Sequence, residues 1–201
     1  MIAKVSPFSS PPFPVHFLTN TQGLVTNGCK VYICGLSSDP ISGVEISLNE
    51  LGRESGGSAI GYAPTSNPVQ SSPNLSSFPC DLNSEEGILD VSRFVRERET
   101  HLDILISNAG IRRDPPIACN PLTASLPELQ TSLLSSSYND WLSSFQVNTM
   151  AHYFLSVSLL DLLAAAGERT LGDGTKGKEN GCGVVVVTRS VIFSFIFPGL
   201  C

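Results

Sequence analysis

Three short runs constrain this chain most: "KVYIC" (30–34), "LDILI" (102–106) and "VVVV" (184–187). Each has strand length, and each is rich in β-branched and aliphatic residues with hardly a polar face. A strand apolar on both sides must be covered on both sides, which is the condition of a parallel sheet between helices. Helical spacing occurs between the runs. The order strand, helix, strand therefore predicts an α/β domain, a doubly wound parallel sheet with right-handed crossovers. The 201 residues suffice for one such domain.

The remaining elements follow from local signals. Residues 1–17 read as an irregular arm, because Pro7, Pro11, Pro12 and Pro14 suit neither a central strand nor a helix interior. The domain proper is read as 18–201. A helix tail is closed by Asn27-Gly28. Ile41, Val44, Leu48 and Leu51 recur at helical spacing. Residues 53–77 read as a long loop with one short strand at most. Asn83 and Glu86 suggest an N-cap with its capping-box partner, ahead of Ile88, Val91 and Val95. Residues 114–137 read as loop with a short helical piece. A long helix starting at Tyr138 closes at Gly167, with Val147, Met150, Phe154 and Val157 as its expected buried face. "VVVV" is expected to be fully covered.

Composition removes several function classes. With 41% hydrophobic and 15% charged residues the chain is no disordered polyelectrolyte. A net charge of −6 without a Lys/Arg cluster argues against nucleic acid. Cysteines 29, 34, 80, 119, 182 and 201 form no C-x-x-C pair, and the three histidines have no metal-ligand spacing. Buried thiols in a reducing compartment are expected, with no metal site. The head lacks a signal-peptide core, and "VIFSFIFPGLC" is too short to span a bilayer. These signs lead to the expectation of a cytoplasmic protein without a membrane partner.

In such sheets ligands bind beyond the carboxyl ends of the strands. Four strand tips therefore matter: Gly35 onward, Cys80-Asp81-Leu82, Asn108-Ala109-Gly110, and residues 188–190. Asn108-Ala109-Gly110 could be a plain turn, or a turn whose small residues admit a flat ligand. Asp81 could be an acid favoured by a helix N-terminus, or an acceptor for an adenine amino group. Asn148 could be a satisfied core amide, or a group that kinks the helix and holds a water. Ser190 alone would be a turn residue.

In this order the pieces resemble the short-chain dehydrogenase/reductase family, over residues 18–195. "GLVTNGCKVYICG" is similar to its first helix end and second strand, and "CDL" to its Asp-hydrophobic adenine motif. "SNAG" is similar to its N-N-A-G motif, with Ser107 for the first Asn. "VNTMAHYF" resembles the helix with its active-site Asn, and "VVVVTRS" the strand before its catalytic Ser. "NAGIRRDP" looks nearest to reductases of the 3-oxoacyl-carrier-protein, rhamnolipid type.

The resemblance implies a Rossmann-like fold, NADP or NAD as cofactor, and hydride transfer between an alcohol and a small-molecule carbonyl substrate. It places Ser190 at the carbonyl and Asn148 at a water of the proton relay. Asp81 and Leu82 would meet adenine, and Asn108, Ala109 and Gly110 the adenosine ribose. Gly35 and the residues after it, Ser37 among them, would lie near the ribose 2′ position. The resemblance also implies a homo- or hetero-oligomer through the helix around 141–166.

Two family motifs have no counterpart. No glycine precedes Gly23, where a glycine-rich phosphate loop is expected, and the 201 residues contain no Tyr-x-x-x-Lys. The expectation is an incomplete fold, lacking the first strand with its loop and the C-terminal elements, in a truncated or mispredicted gene product that is inactive as it stands. A non-catalytic remnant that associates with intact reductase subunits is one alternative. A different Rossmann-like enzyme, such as a methyltransferase, is another.

Overall fold

The computed structural model describes residues 2–4, 15–35, 41–62, 81–111 and 119–187. Strand β2 (Lys30–Cys34) organises the first half. It pairs in parallel with β1 (Ile2–Lys4) on one side and β3 (Ser58–Tyr62) on the other, with Tyr32 beside Ile2 and Ile60. Strand β4 (Ile104–Ser107) pairs in parallel with β5 (Val184–Val187), Ser107 level with Val187. β1 also lies against β4, so the strands stand in the order β3-β2-β1-β4-β5.

The presence of β1 corrects one expectation, since it occupies the place of the first strand read as missing. Ile2, Ala3 and Lys4 precede Pro7, so each keeps the N–H that a ladder needs.

Successive residues of β2 feed opposite layers, as the strand period requires. Val31 and Ile33 pack with Val25, Ile41, Val44, Leu48 and Ile106. Tyr32 and Cys34 join a larger cluster with Leu82, Val91, Leu105, Ala109, Val147 and Leu155. Helices α1 (Val15–Thr26) and α2 (Ile41–Leu51) supply the first layer, and α3 (Glu85–Arg96) supplies part of the second. This is the doubly wound arrangement expected. Helix α1 ends where Asn27-Gly28 predicted: Gly28 takes φ 83° and donates to Val25 O at 3.0 Å. In α2, Ile41, Val44 and Leu48 are buried but Leu51 is exposed. The N-cap of α3 is Ser84 rather than Asn83; its Oγ accepts from Gly87 N–H at 3.1 Å.

Helix α4 (Leu126–Leu134) lies in the stretch read mainly as loop, behind a capping box of Ser125 and Glu128. The long helix is divided. Helix α5 (Tyr138–Phe145) passes through a π turn (Gln146–Met150) into α6 (Ala151–Ser158), and α7 (Leu160–Glu168) turns away by 54°. Its buried face is Val147, Ala151, Leu155 and Leu159, whereas Met150, Phe154 and Val157 are exposed. The π turn carries an extra residue, so a stripe drawn at ordinary helical spacing slips off the true face. The β5 valines were expected to be covered, yet each is about 40% exposed. Among the described residues only β4 pairs with this strand.

Among the described cysteines, Cys29, Cys119 and Cys182 are partly exposed free thiols and Cys34 is buried. No single described helix is long and apolar enough to cross a membrane, although the bent pair from Tyr138 to Glu168 passes that test by length and composition together.

The N-terminal end of β2, opposite the site described below, carries a polar lock. Glu99 accepts from Lys30 Nζ at 2.6 Å and from the Tyr32 hydroxyl. Burial alone would raise the Glu99 carboxyl, but these two donors hold it below the usual carboxylate range. Its stabilisation is therefore complete above its ordinary value of 4.5 and is lost as the pH falls through the depressed one. Glu99→Gln is expected to cost about 1 kcal/mol at neutral pH and to flatten the acid side of the stability profile. Urea unfolding at pH 7 and pH 4 measures both; parallel wild-type and variant profiles would remove the lock from the account.

Candidate functional site

Within each sheet the strands are parallel and end together, Lys4, Cys34 and Tyr62 in register in one and Ser107 level with Val187 in the other, and β4 lies against β1. Three of the four expected tips leave described residues at or beside these strand ends. Gly35 follows Cys34 and is buried. Asn108, Ala109 and Gly110 follow Ser107. Leu82, next to Asp81, shares one continuous buried cluster with Cys34, Ala109 and Val147, the neighbour of Asn148. The structure thus draws Gly35, Asp81, Leu82, Ala109 and Asn148 around a common core. Ser37 and Ser190 lie outside the described residues.

Asp81 sits in a tight turn that opens α3. Its Oδ1 accepts from Asn83 N–H at 2.9 Å, and its carbonyl accepts from Ser84 N–H and Ser84 Oγ, both at 3.1 Å. Gly87 is buried against this turn: a Cβ there would stand 2.2 Å from Asp81 O and 3.0 Å from Asp81 N. The Asp81 turn is held by these hydrogen bonds and by close backbone contact with Gly87, where only glycine fits.

The turn after β4 is fixed at both ends by the π turn and α6. Ile111 N–H donates to Asn148 Oδ1 at 2.7 Å, and Asn148 Nδ2 donates to Ile111 O at 2.8 Å. On the other side of the turn, Ser107 Oγ and His152 Nδ1 share a hydrogen bond of 2.5 Å, with both residues buried. An Asn inside a helix is explained here without a bare core: its amide closes a two-bond ring on one residue of the loop. Sequence reasoning singled out Asn148 and noted Ser107 as a departure from the family motif, but missed the Ser107 bond and His152. The one available signal was their place, Ser107 directly before Asn108 and His152 four residues after Asn148.

No group of three or more His, Cys, Asp or Glu side chains among the described residues could hold a metal. For a dinucleotide the fit is divided. An adenosine would meet a carboxylate at Asp81 and a small buried side chain at Ala109. The segment between β1 and α1, where a pyrophosphate would need free N–H groups, lies outside the described residues; by sequence it has no glycine, and Pro7, Pro11, Pro12 and Pro14 have no N–H to offer.

Parallel strands, helices on both faces and a ligand edge at the strand ends define a Rossmann-like α/β domain. The sequence model of the family described as "short chain dehydrogenase" matches residues 61–190, well over half of the chain. The chain belongs to the short-chain dehydrogenase/reductase family, a family of oxidoreductases. It is 31% identical over 172 residues to mouse (Mus musculus) dehydrogenase/reductase SDR family member 11, a match over 85% of this chain and 52% of that protein. It spans about half the length of the curated relatives it matches.

Among solved structures, an NADH-dependent reductase A1-R′ complexed with NAD superposes with a TM-score of 0.57 at 15% identity, over 94% of this chain and 59% of that one. The Pseudomonas aeruginosa RhlG/NADP active-site complex gives 0.53 at 18% identity, over 90% and 60%. At these identities the two establish the fold. Family membership sets the methyltransferase reading aside.

Proposed function

We propose that this chain carries the adenosine half of an NAD(P) site from a reductase that moves hydride between a small-molecule carbonyl and its alcohol. The observation that carries the reading is the turn at 108–110, pinned to Asn148 at the strand-end edge. In this reading Asp81 and Leu82 meet adenine, and Asn108, Ala109 and Gly110 pack beside the ribose. Asn148 positions a water, Ser190 polarises the carbonyl, and Gly35 and Ser37 lie near the ribose 2′ position. No acid stands at Leu36, Ser37 or Ser38 to bind a 2′-hydroxyl, which leans toward NADP, and no Arg stands there to grip a 2′-phosphate, so the cofactor is NADP or NAD. Placement near the 3-oxoacyl-carrier-protein reductases rests on "NAGIRRDP" alone.

The chain itself is proposed to be nearly inactive. Without a Tyr-x-x-x-Lys the proton relay has no general acid, a loss of about 10²–10⁴-fold on its own. NADPH oxidation with a panel of ketones and aldehydes tests this. Turnover within about tenfold of an intact family reductase would overturn the claim of inactivity.

A second reading, association with another reductase subunit, is favoured by one observation. Tyr138, Trp141, Leu142, Phe145, Tyr153 and Phe154 on α5 and α6 are exposed. Such apolar area on a helical face marks an interaction site. Phe145→Glu is expected to abolish a dimer or mixed oligomer seen by light scattering. A chain that is monomeric alone, and remains so beside an intact family reductase, would refute the association.

A further inference from the structure

We infer that His152 is a positioning residue: through Ser107 it fixes the turn at 108–110 against the helix that carries Asn148. The turn is short and joins two anchor points. Ser107, the last residue of β4, is bonded to His152; Ile111, just past the turn, is bonded twice to Asn148. His152 and Asn148 lie four residues apart, across the junction of the π turn and α6. The loop is therefore clamped at both ends to one helical segment, and that segment departs from ordinary α geometry at Asn148.

The two anchors differ in kind. Asn148 holds backbone, so any residue but proline at 111 would serve. His152 holds a side chain, so its clamp depends on Ser107. Ser107 stands where the family motif has its first Asn, and its hydroxyl is bonded to His152. Both side chains are buried, 2% exposed for Ser107 and 6% for His152, so the pair is sealed from solvent. In a buried site, a hydrogen bond between two side chains is held in one geometry, because the alternative is an unpaired polar group.

The functional meaning of this clamp rests on the dinucleotide reading of the turn. Its mechanical content does not, so the test reads the loop directly. Amide hydrogen exchange is followed in the full chain at Ile111 and at Leu105. Ile111 N–H donates to Asn148, not to His152, whereas Leu105 lies within the β4–β5 ladder. His152→Ala and the smaller change Ser107→Ala are each expected to speed exchange at Ile111 by about tenfold or more while Leu105 stays within threefold. His152→Asn, whose amide can take the place of the ring Nδ1, is expected to restore protection. Unchanged exchange at Ile111 in Ser107→Ala overturns the inference, as does equal acceleration at both amides, which would mean general loosening. A wild-type chain that binds no NADP would count against the proposed function alone, since the exchange result stands without ligand.

Discussion

Gly87→Ala should strongly destabilise the chain at the turn that opens α3. The new Cβ would lie 2.2 Å from Asp81 O, 2.8 Å from its carbonyl carbon and 3.0 Å from its nitrogen. All three are backbone atoms, so no side chain can swing aside. Either α3 moves out of the cluster that holds Ile88, Val91 and Val95, or the Asp81 turn opens and loses its bonds to Ser84. A loss of about 3 kcal/mol is expected, lowering the melting temperature by about 6–12 °C for a chain of this size. Gly43→Ala is the control. Its site in α2 is open, and alanine there should stabilise slightly, by about 0.5–1 kcal/mol. Equal effects for the two glycines in urea titration would show that the packing under Asp81 is wrongly drawn.

Asn148→Ala ranks second. It removes the partners of both Ile111 N–H and Ile111 O at once. Leaving two half-buried backbone groups unpaired costs about 2–4 kcal/mol. Asn148→Asp separates the two bonds: a carboxylate still accepts from Ile111 N–H, but it faces Ile111 O with no donor. Its cost should be at least as large at neutral pH and should shrink in acid, where the carboxyl regains a proton to donate. Equilibrium unfolding at pH 7 and pH 4.5 decides this. A loss under about 0.5 kcal/mol for Asn148→Ala would mean that the clamp contributes little.

Much of the architecture is written in residue order because β2 needs two covers. Val31 and Ile33 demand one layer, Tyr32 and Cys34 the other, and helices at the right spacing follow. The site was legible where chemistry stands out against its local background: an Asn inside a helix, and small residues at a strand tip. Other features left no such trace. Three residues before a run of prolines carry too little pattern to reveal β1. The π turn shifts the buried face of the long helix by inserting a residue, and no local composition announces it. The β5 valines have the composition of a covered strand, but composition cannot say which neighbour covers it. His152 lies between Ala151 and Tyr153 and acquires its role only when the fold brings β4 beside it.

In the proposed reading the turn at 108–110 and Asp81 wall the adenosine side of a dinucleotide site whose phosphate-facing segment has no glycine and four prolines. Titration of the full chain with NADP, followed by backbone amide chemical shifts, tests it most directly. Shifts are expected at Asp81, Leu82, Asn108, Ala109, Gly110 and Ile111, with affinity no tighter than about 1 mM, because prolines in the phosphate-facing segment offer no N–H. Shifts elsewhere, or none at these amides up to about 10 mM NADP, would contradict it.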